Sequence, residues 1–373
     1  MRLLISSLLC LFLLPEMAAA QLQPEKVGNT TLPDPEDSWF MVTTWEGGSY
    51  IFDGDTGEMQ GLISHNFYTP AVEVNLSHSE AYLVESWYSR GVRGTREDVL
   101  SVVDMTDFST KTEIDIPNKA AALKVRNHIG LLGDQRHIVI FNMTPAQSVS
   151  IVDVVDSEFA GEISTPGCAV IMPSGERGFM MICGDGSLQY IELDPDGSET
   201  ARERSKPFFV VDEDPVFAHP LKLSEDWLLI SHEGLVYQVD MNKSRFDISD
   251  SWSLLSDEDK QEKWRPGGAQ PFTVHRGSNL LYVLMHQGEV DTHSENGTEV
   301  WVFDIERKNR VGKISFENEV SHILSSQEES PKLYVIDEEM KLQIYDGHLF
   351  RHLRTIEEPG PNPGLLQILA RHD

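Results

Sequence analysis

The chain has 373 residues, 40% of them hydrophobic, which is enough for a substantial core and for one large or two ordinary domains. Its formal net charge of −30 excludes nucleic acid as a natural partner, because phosphates would be repelled, and suits a soluble protein with basic partners.

The first element in the chain is a secretory leader over residues 1–20. Arg2 supplies the positive end, Leu3 to Leu14 the apolar core, and Ala18-Ala19-Ala20 before Gln21 the small-residue cleavage site. Pro15 and Glu16 interrupt the apolar run, and no later segment approaches about 18 apolar residues, so no membrane span is expected. Cleavage would remove one arginine and one glutamate, leaving the charge unchanged, together with Cys10. Residues 21–38, with Pro24, Pro33 and Pro35, read as an extended arm, and residues 39–373 as one repetitive domain.

From Trp39 onward a short β-rich segment ending in aspartate recurs. The copies end at Asp53, Asp104, Asp153, Asp194, Asp240, Asp304 and Asp346, spaced 51, 49, 41, 46, 64 and 42 residues apart. Each aspartate opens a turn, clearest in Asp53-Gly-Asp-Thr-Gly57, and an outer strand follows, such as Thr112 to Ile116 or Val311 to Phe316. Ahead of each aspartate strand comes an apolar strand, for example Ile138 to Asn142 or Leu280 to Met285, and ahead of that an innermost one, such as Ala71 to Leu76. Periods of this size with four strands each are those of propeller blades. The first copy begins at its second strand, Phe40 to Thr44, while Leu365 to Ala370 forms a final strand with no blade of its own. The expected fold is therefore all-β: a seven-bladed β-propeller with four-stranded blades, its ring closed by the C-terminal strand.

Cys168 and Cys183, the only cysteines beyond the leader, flank a hairpin pattern. With Met172 opposite Phe179, Cys168 falls opposite Cys183, where Cα atoms about 4.5–5.5 Å apart permit a disulfide. Two buried free thiols are the alternative, and the leader with its oxidising destination favours the bond. The long interval before Asp304 holds Ser256-Asp-Glu-Asp259, a capping-box pattern that predicts a short helix stopped by Pro266 and Gly267.

No catalytic constellation stands out. Asp53-Gly-Asp55 and Asp194-Pro-Asp196-Gly197 begin like calcium loops, but Ser64 and Ser205 occupy the position where such a loop ends in glutamate, so Asx-type turns are the better reading. The thirteen histidines show no metal-ligating spacing, and there is no nucleophile elbow, phosphate loop or dinucleotide fingerprint. No catalytic, cofactor-binding or metal residues are assigned. Two segments depart from the acidic background. Trp87, Tyr88, Arg90, Arg93 and Arg96 crowd one blade connection, and Trp264 and Arg265 recur in the long insertion. Trp, Tyr and Arg are the residues enriched at interface hot spots. The competing account has the arginines neutralising nearby carboxylates and the tryptophans serving as core.

The stretches Asp53-Gly-Asp-Thr-Gly57, Ser89-Arg90-Gly-Val-Arg93-Gly-Thr-Arg96-Glu-Asp98, Thr165-Pro-Gly-Cys168, Cys183-Gly-Asp-Gly-Ser-Leu188 and Trp264-Arg-Pro-Gly-Gly268 occur in an order that resembles the heavy subunit of tryptophan-tryptophylquinone amine dehydrogenases. The resemblance runs from Trp39 to the C-terminus. It implies a periplasmic enzyme of two heavy and two light subunits that oxidises a primary amine to aldehyde and ammonia and passes electrons to a small copper protein or cytochrome c. It also implies that the tryptophan tryptophylquinone belongs to the light subunit, with none on this chain, and that Trp87, Tyr88, Arg90, Arg93, Arg96, Trp264 and Arg265 are candidates for the light-subunit interface. The family's channel-mouth phenylalanine has no clean counterpart in Val42 to Ser49, where Trp45 lies, so that role is not carried over. From another class, a free-standing secreted propeller that binds a ligand without redox chemistry would share the same strand pattern.

Overall fold

Runs such as Ile138–Phe141, apolar at four successive positions and at most 2% exposed, are strands buried on both faces between neighbouring sheets. In a computed structural model, residues 31–67, 72–121, 123, 125–242 and 245–369 are described. The leader, the arm as far as Asn29 and Thr30, Ala71 and Ala370 lie outside them. All pairings between named strands are antiparallel. The first sheet has the order Pro363–Ile368, Phe40–Thr44, Gly48–Phe52, Met59–Ser64, and the second Val72–Asn75, Glu80–Tyr88, Arg96–Asp104, Thr110–Ile116. The third runs Ile129–Leu131, His137–Asn142, Ser148–Asp153, Glu158–Ser164, and the fourth Cys168–Ser174, Gly178–Cys183, Leu188–Leu193, Glu199–Arg204. The fifth holds Leu221–Lys222, Trp227–Ile230, Leu235–Asn242 and Arg245–Ile248, with Trp252–Ser253 added at the side.

The sixth sheet corrects the expected fold. It has eight strands, from Trp264–Pro266 to His352–Ile356, so the propeller consists of six hydrogen-bonded sheets and not of a closed ring of seven separate four-stranded blades. The cause is the 17-residue strand Asn309–Ser325, whose first half pairs with Gly297–Asp304 and whose second half pairs with Lys332–Asp337. Connections of this kind elsewhere carry breakers, such as Pro117, Thr165-Pro-Gly167 or Pro359-Gly-Pro361, whereas Ile314 to Ser325 contains neither proline nor glycine. With nothing to break it, the backbone stays extended and the ladder continues.

Apolar layers fill the space between successive sheets. Val139, Phe141 and Ile151 of the third meet Ile171, Phe179 and Met181 of the fourth. The packing returns from the sixth sheet to the first, where Phe40 stacks on Tyr334 with ring centroids 4.2 Å apart. Residues ahead of the first strand are tied to this body: Leu32 N–H donates to Thr106 O (2.8 Å), and the Tyr334 hydroxyl donates to Ser38 O (2.6 Å).

Three local expectations meet their geometry here. Six of the recurring aspartates close Asx turns, as where Asp53 Oδ1 accepts from Asp55 N–H (2.7 Å) and Asp194 Oδ1 from Asp196 N–H (3.0 Å). The Cys168–Cys183 disulfide is formed and the two residues are direct cross-strand partners, but the hairpin register differs from the expected one. Met172 faces Met180, not Phe179, because Val170 bulges out at φ 67° and restores the cysteine pairing. The helix is only Asp257–Gln261. Its capping box between Ser256 and Asp259 is complete, yet it ends before Lys263, which adopts φ 62°, and Trp264–Pro266 is a strand and not a helix stop.

Candidate partner-docking face

The nine-residue strands Glu80–Tyr88 and Arg96–Asp104 pair along their whole length, from Glu80 opposite Asp104 to Tyr88 opposite Arg96. Their flanking strands stop sooner: pairing reaches Leu83 on the inner side and Asp98 on the outer side. The end of the hairpin from Trp87 to Glu97 therefore projects without a flanking strand among the described residues. Its tip is a tight loop in which Ser89 N–H donates to Thr95 O (3.0 Å), Arg90 N–H to Arg93 O (3.0 Å) and Thr95 N–H to Ser89 Oγ (3.1 Å). Gly91 and Gly94 supply the positive φ values, 75° and 110°, that the turn needs.

The five candidates on this hairpin divide by environment. Arg90 and Arg93 are exposed, Trp87 is 45% exposed and Val92 between them 72%. Tyr88 is half-buried opposite Arg96. Arg96 is turned inward. Its Nε and Nη2 grip both oxygens of the fully buried Asp98 carboxylate (2.6 and 2.7 Å), and Nη2 also reaches Ser86 Oγ and Ala120 O. Burial works against its charge, but Asp98 outweighs that and raises its pKa further. Asp98 in turn accepts from Ala120 N–H (3.0 Å), so Arg96 ties the root of the hairpin to the next connection.

Trp264 and Arg265 belong to the sixth sheet and are not gathered with the hairpin. Arg265 is 8% exposed, paired with Glu233 (2.7 Å) and donating through Nε to Gly288 O (3.0 Å). Trp264 leans on Trp301 with ring centroids 5.3 Å apart, and the Arg310 guanidinium covers the other tryptophan at 4.0 Å.

Two aromatic groups extend the exposed surface on the same side. Trp45, 41% exposed, follows Phe40–Thr44, and Phe67, 59% exposed, follows Met59–Ser64. Both strand ends point to the side on which Glu80–Tyr88 ends. Asn66 N–H donates to the buried Glu85 carboxylate (2.7 Å), which joins the Phe67 loop to the second sheet. A Cβ on Gly364 would lie 2.4 Å from Trp45 Nε1, so only glycine lets that indole lie against the final strand. Sequence reasoning passed over Phe67; its signal was the Phe67-Tyr68 aromatic pair in an otherwise polar connection.

Aromatic and aliphatic side chains beside Arg90 and Arg93, which have no ion pair among the described residues, make an exposed face on a β-propeller that shows no group of metal-ligating side chains among its described residues. A family model described as methylamine dehydrogenase heavy chain matches residues 32–370, and the chain belongs to that family. It is similar to the methylamine dehydrogenase heavy chain of Methylophilus methylotrophus, 28% identical over 323 residues that make up 86% of this chain and 79% of that one. It is also similar to that of Methylobacillus flagellatus, 29% identical over 330 residues, 87% and 81% of the two chains. Among solved structures, a functionally unknown protein from Desulfotomaculum acetoxidans superposes with a TM-score of 0.62 at 12% identity, covering 88% of this chain and 98% of that one; the likeness is one of fold.

Proposed function

We propose that this chain is the heavy subunit of a periplasmic amine dehydrogenase and that the face carrying Trp87, Arg90, Val92 and Arg93, with Trp45 and Phe67 beside it, receives the light subunit. The family match over residues 32–370 carries the reading, and the exposed hairpin supports the placement. In this reading the complex has two heavy and two light subunits, acts on a primary amine, releases aldehyde and ammonia, and hands electrons to a small copper protein or cytochrome c. The leader over residues 1–20 supports export.

The tryptophan tryptophylquinone on the light subunit supplies the electrophilic carbonyl and takes up the electrons. The heavy chain's part is to bury apolar area, exclude water and hold the partner in one orientation. Trp45, Phe67, Trp87 and Val92 offer the apolar area, while Arg90 and Arg93 offer forked donors to partner carboxylates or carbonyls. Tyr88 sits at the edge of the contact. Arg96 holds the root of the hairpin from behind, while Trp264 and Arg265, in the sixth sheet, take no part in this face.

Capture of the light subunit by mutant heavy chains tests this division. Trp87→Ala with Arg93→Ala should weaken association by more than ~2 kcal/mol while the isolated heavy chain keeps its melting temperature. Arg96→Ala should instead lower the stability of the heavy chain itself, by about 2–4 kcal/mol, because it strands the buried Asp98 carboxylate. Unchanged capture by the double mutant would refute the docking site. Amine-dependent dye reduction that appears when the light subunit is added would support the dehydrogenase; its absence would favour a free-standing binding module.

A further inference from the structure

The innermost strands of the propeller surround a cavity of about 370 Å³, within the range of about 300–1,000 Å³ usual for small-molecule sites. Its wall is mixed, polar and apolar in similar measure, and Phe272, Val274, Leu324 and Leu366 supply part of the apolar lining. One end is different. Lys222 closes the strand Leu221–Lys222, and Arg276 follows Phe272–His275, at the side where the innermost strands end. That side is opposite the docking hairpin.

Arg276 is an exception within this chain, which has 60 carboxylates against 30 lysines and arginines. Most of its other arginines are held by acids, including Arg126 on the same cavity wall, paired with Glu73 at 2.6 Å. Arg276 is half-buried, yet among the described residues its guanidinium has neither an ion pair nor a hydrogen bond. Burial lowers its pKa and no carboxylate opposes the effect. Its backbone is fixed all the same: its N–H donates to Gln327 Oε1 (3.1 Å), and Gln327 Nε2 donates to Val274 O (2.8 Å). Lys222, exposed at the same end, also has no ion pair among the described residues. A guanidinium kept partly from water, immobile at its root and without an ion pair among the described residues, although Glu225 and Asp226 line an adjoining pocket with it, retains five donors for a ligand.

We propose that the central cavity is a binding site for a small organic monocarboxylate, its carboxylate forked by Arg276 and assisted by Lys222, its short apolar tail lying against Phe272, Val274 and Leu324. Glu73 does not compete with the ligand, since Arg126 occupies both of its oxygens (2.6 and 3.4 Å). The site is independent of light-subunit docking, because it opens on the other side of the propeller.

Titration calorimetry of the full heavy chain with hexanoate, at constant ionic strength, reads the site directly. One saturable site is expected, weakened at least about tenfold by Arg276→Met and less by Lys222→Met. Arg351→Met, at an exposed arginine away from the cavity, should leave binding unchanged. If Arg276→Met does not fold, Lys222→Met and competition by inorganic phosphate carry the test: weakening by the first without displacement by the second supports a carboxylate with an apolar tail. Absence of saturable hexanoate binding, binding indifferent to both variants, or equal displacement by phosphate would each overturn the assignment.

Discussion

His128 lies against Phe141, ring centroids 5.2 Å apart, and is 5% exposed. Burial pushes its pKa down to about 4, against about 6.5 for an unfolded histidine. The unfolded chain therefore binds a proton between those values that the folded chain refuses. Stability from this residue is complete above about pH 6.5 and is lost as pH falls toward about 4, at up to about 1.4 kcal/mol per unit. Urea midpoints measured from pH 7 to pH 4.5 should fall, and His128→Phe should make the fall shallower. His219 and His322, also pushed down to about 4 by burial, would keep the slope from vanishing. Identical slopes for wild type and variant would remove His128 from this account. The same scale separates the arginines: Arg96 finds Asp98 two residues away, while Arg90 and Arg93 find only solvent on the described surface.

Among the elements, the hairpin Cys168–Ser174 with Gly178–Cys183 shows how local strain and a covalent bond are combined. Val170 takes a left-handed conformation that a β-branched residue rarely adopts, and the bulge it makes shifts the strand by one position between Ala169 and Ile171. The shift leaves Ile171 and Met181 in the apolar layer against the third sheet and Cys168 still facing Cys183. The disulfide closes a separation of 15 residues. In the chain-entropy account its loss should cost on the order of 3 kcal/mol, less where the neighbouring sheets already hold the hairpin. Thermal unfolding of the Cys168→Ala, Cys183→Ala double variant checks this; a melting temperature equal to wild type would show that packing alone holds the register.

For the whole molecule, the decisive contact is between segments far apart in sequence. Gln270 donates from Nε2 to Leu366 O (3.0 Å) and accepts at Oε1 from Leu366 N–H (2.9 Å), so one buried side chain satisfies both backbone polar groups of Leu366 on the outer edge of the final strand. On its other edge that strand pairs with Phe40–Thr44, from Phe40 opposite Ile368 to Thr43 opposite Leu365. Gln270→Leu should cost about 2–4 kcal/mol by leaving two buried backbone groups unpaired. Deleting residues 363–373 should go further, exposing the edge of Phe40, Met41 and Val42, each 0% exposed in the intact chain, and cause aggregation. A variant that melts and elutes like wild type would show that the sixth and first sheets hold together without this strand.

What the sequence by itself determined is what short-range physics controls. The strands were legible because apolar runs alternate with aspartate turns, and those turns close through hydrogen bonds two to four residues long, as at Asp53 and Asp194. The cap of the short helix was legible for the same reason, since Ser256 and Asp259 satisfy each other within one turn. The cysteine pairing was expected from an unbroken hairpin, but it is reached through the bulge at Val170, which local pattern did not show. Other features needed the tertiary structure. Whether seven strand sets make seven sheets depended on the run from Ile314 to Ser325 staying extended between two partners. Which arginines face outward depended on Asp98 and Glu233 meeting Arg96 and Arg265. That Arg276 makes no ion pair among the described residues beside a central cavity, and that Gln270 meets Leu366 across 96 residues of sequence, are properties of packing in space. A side chain's partners are chosen by what packing brings within about 3 Å of it, and local pattern does not contain that choice.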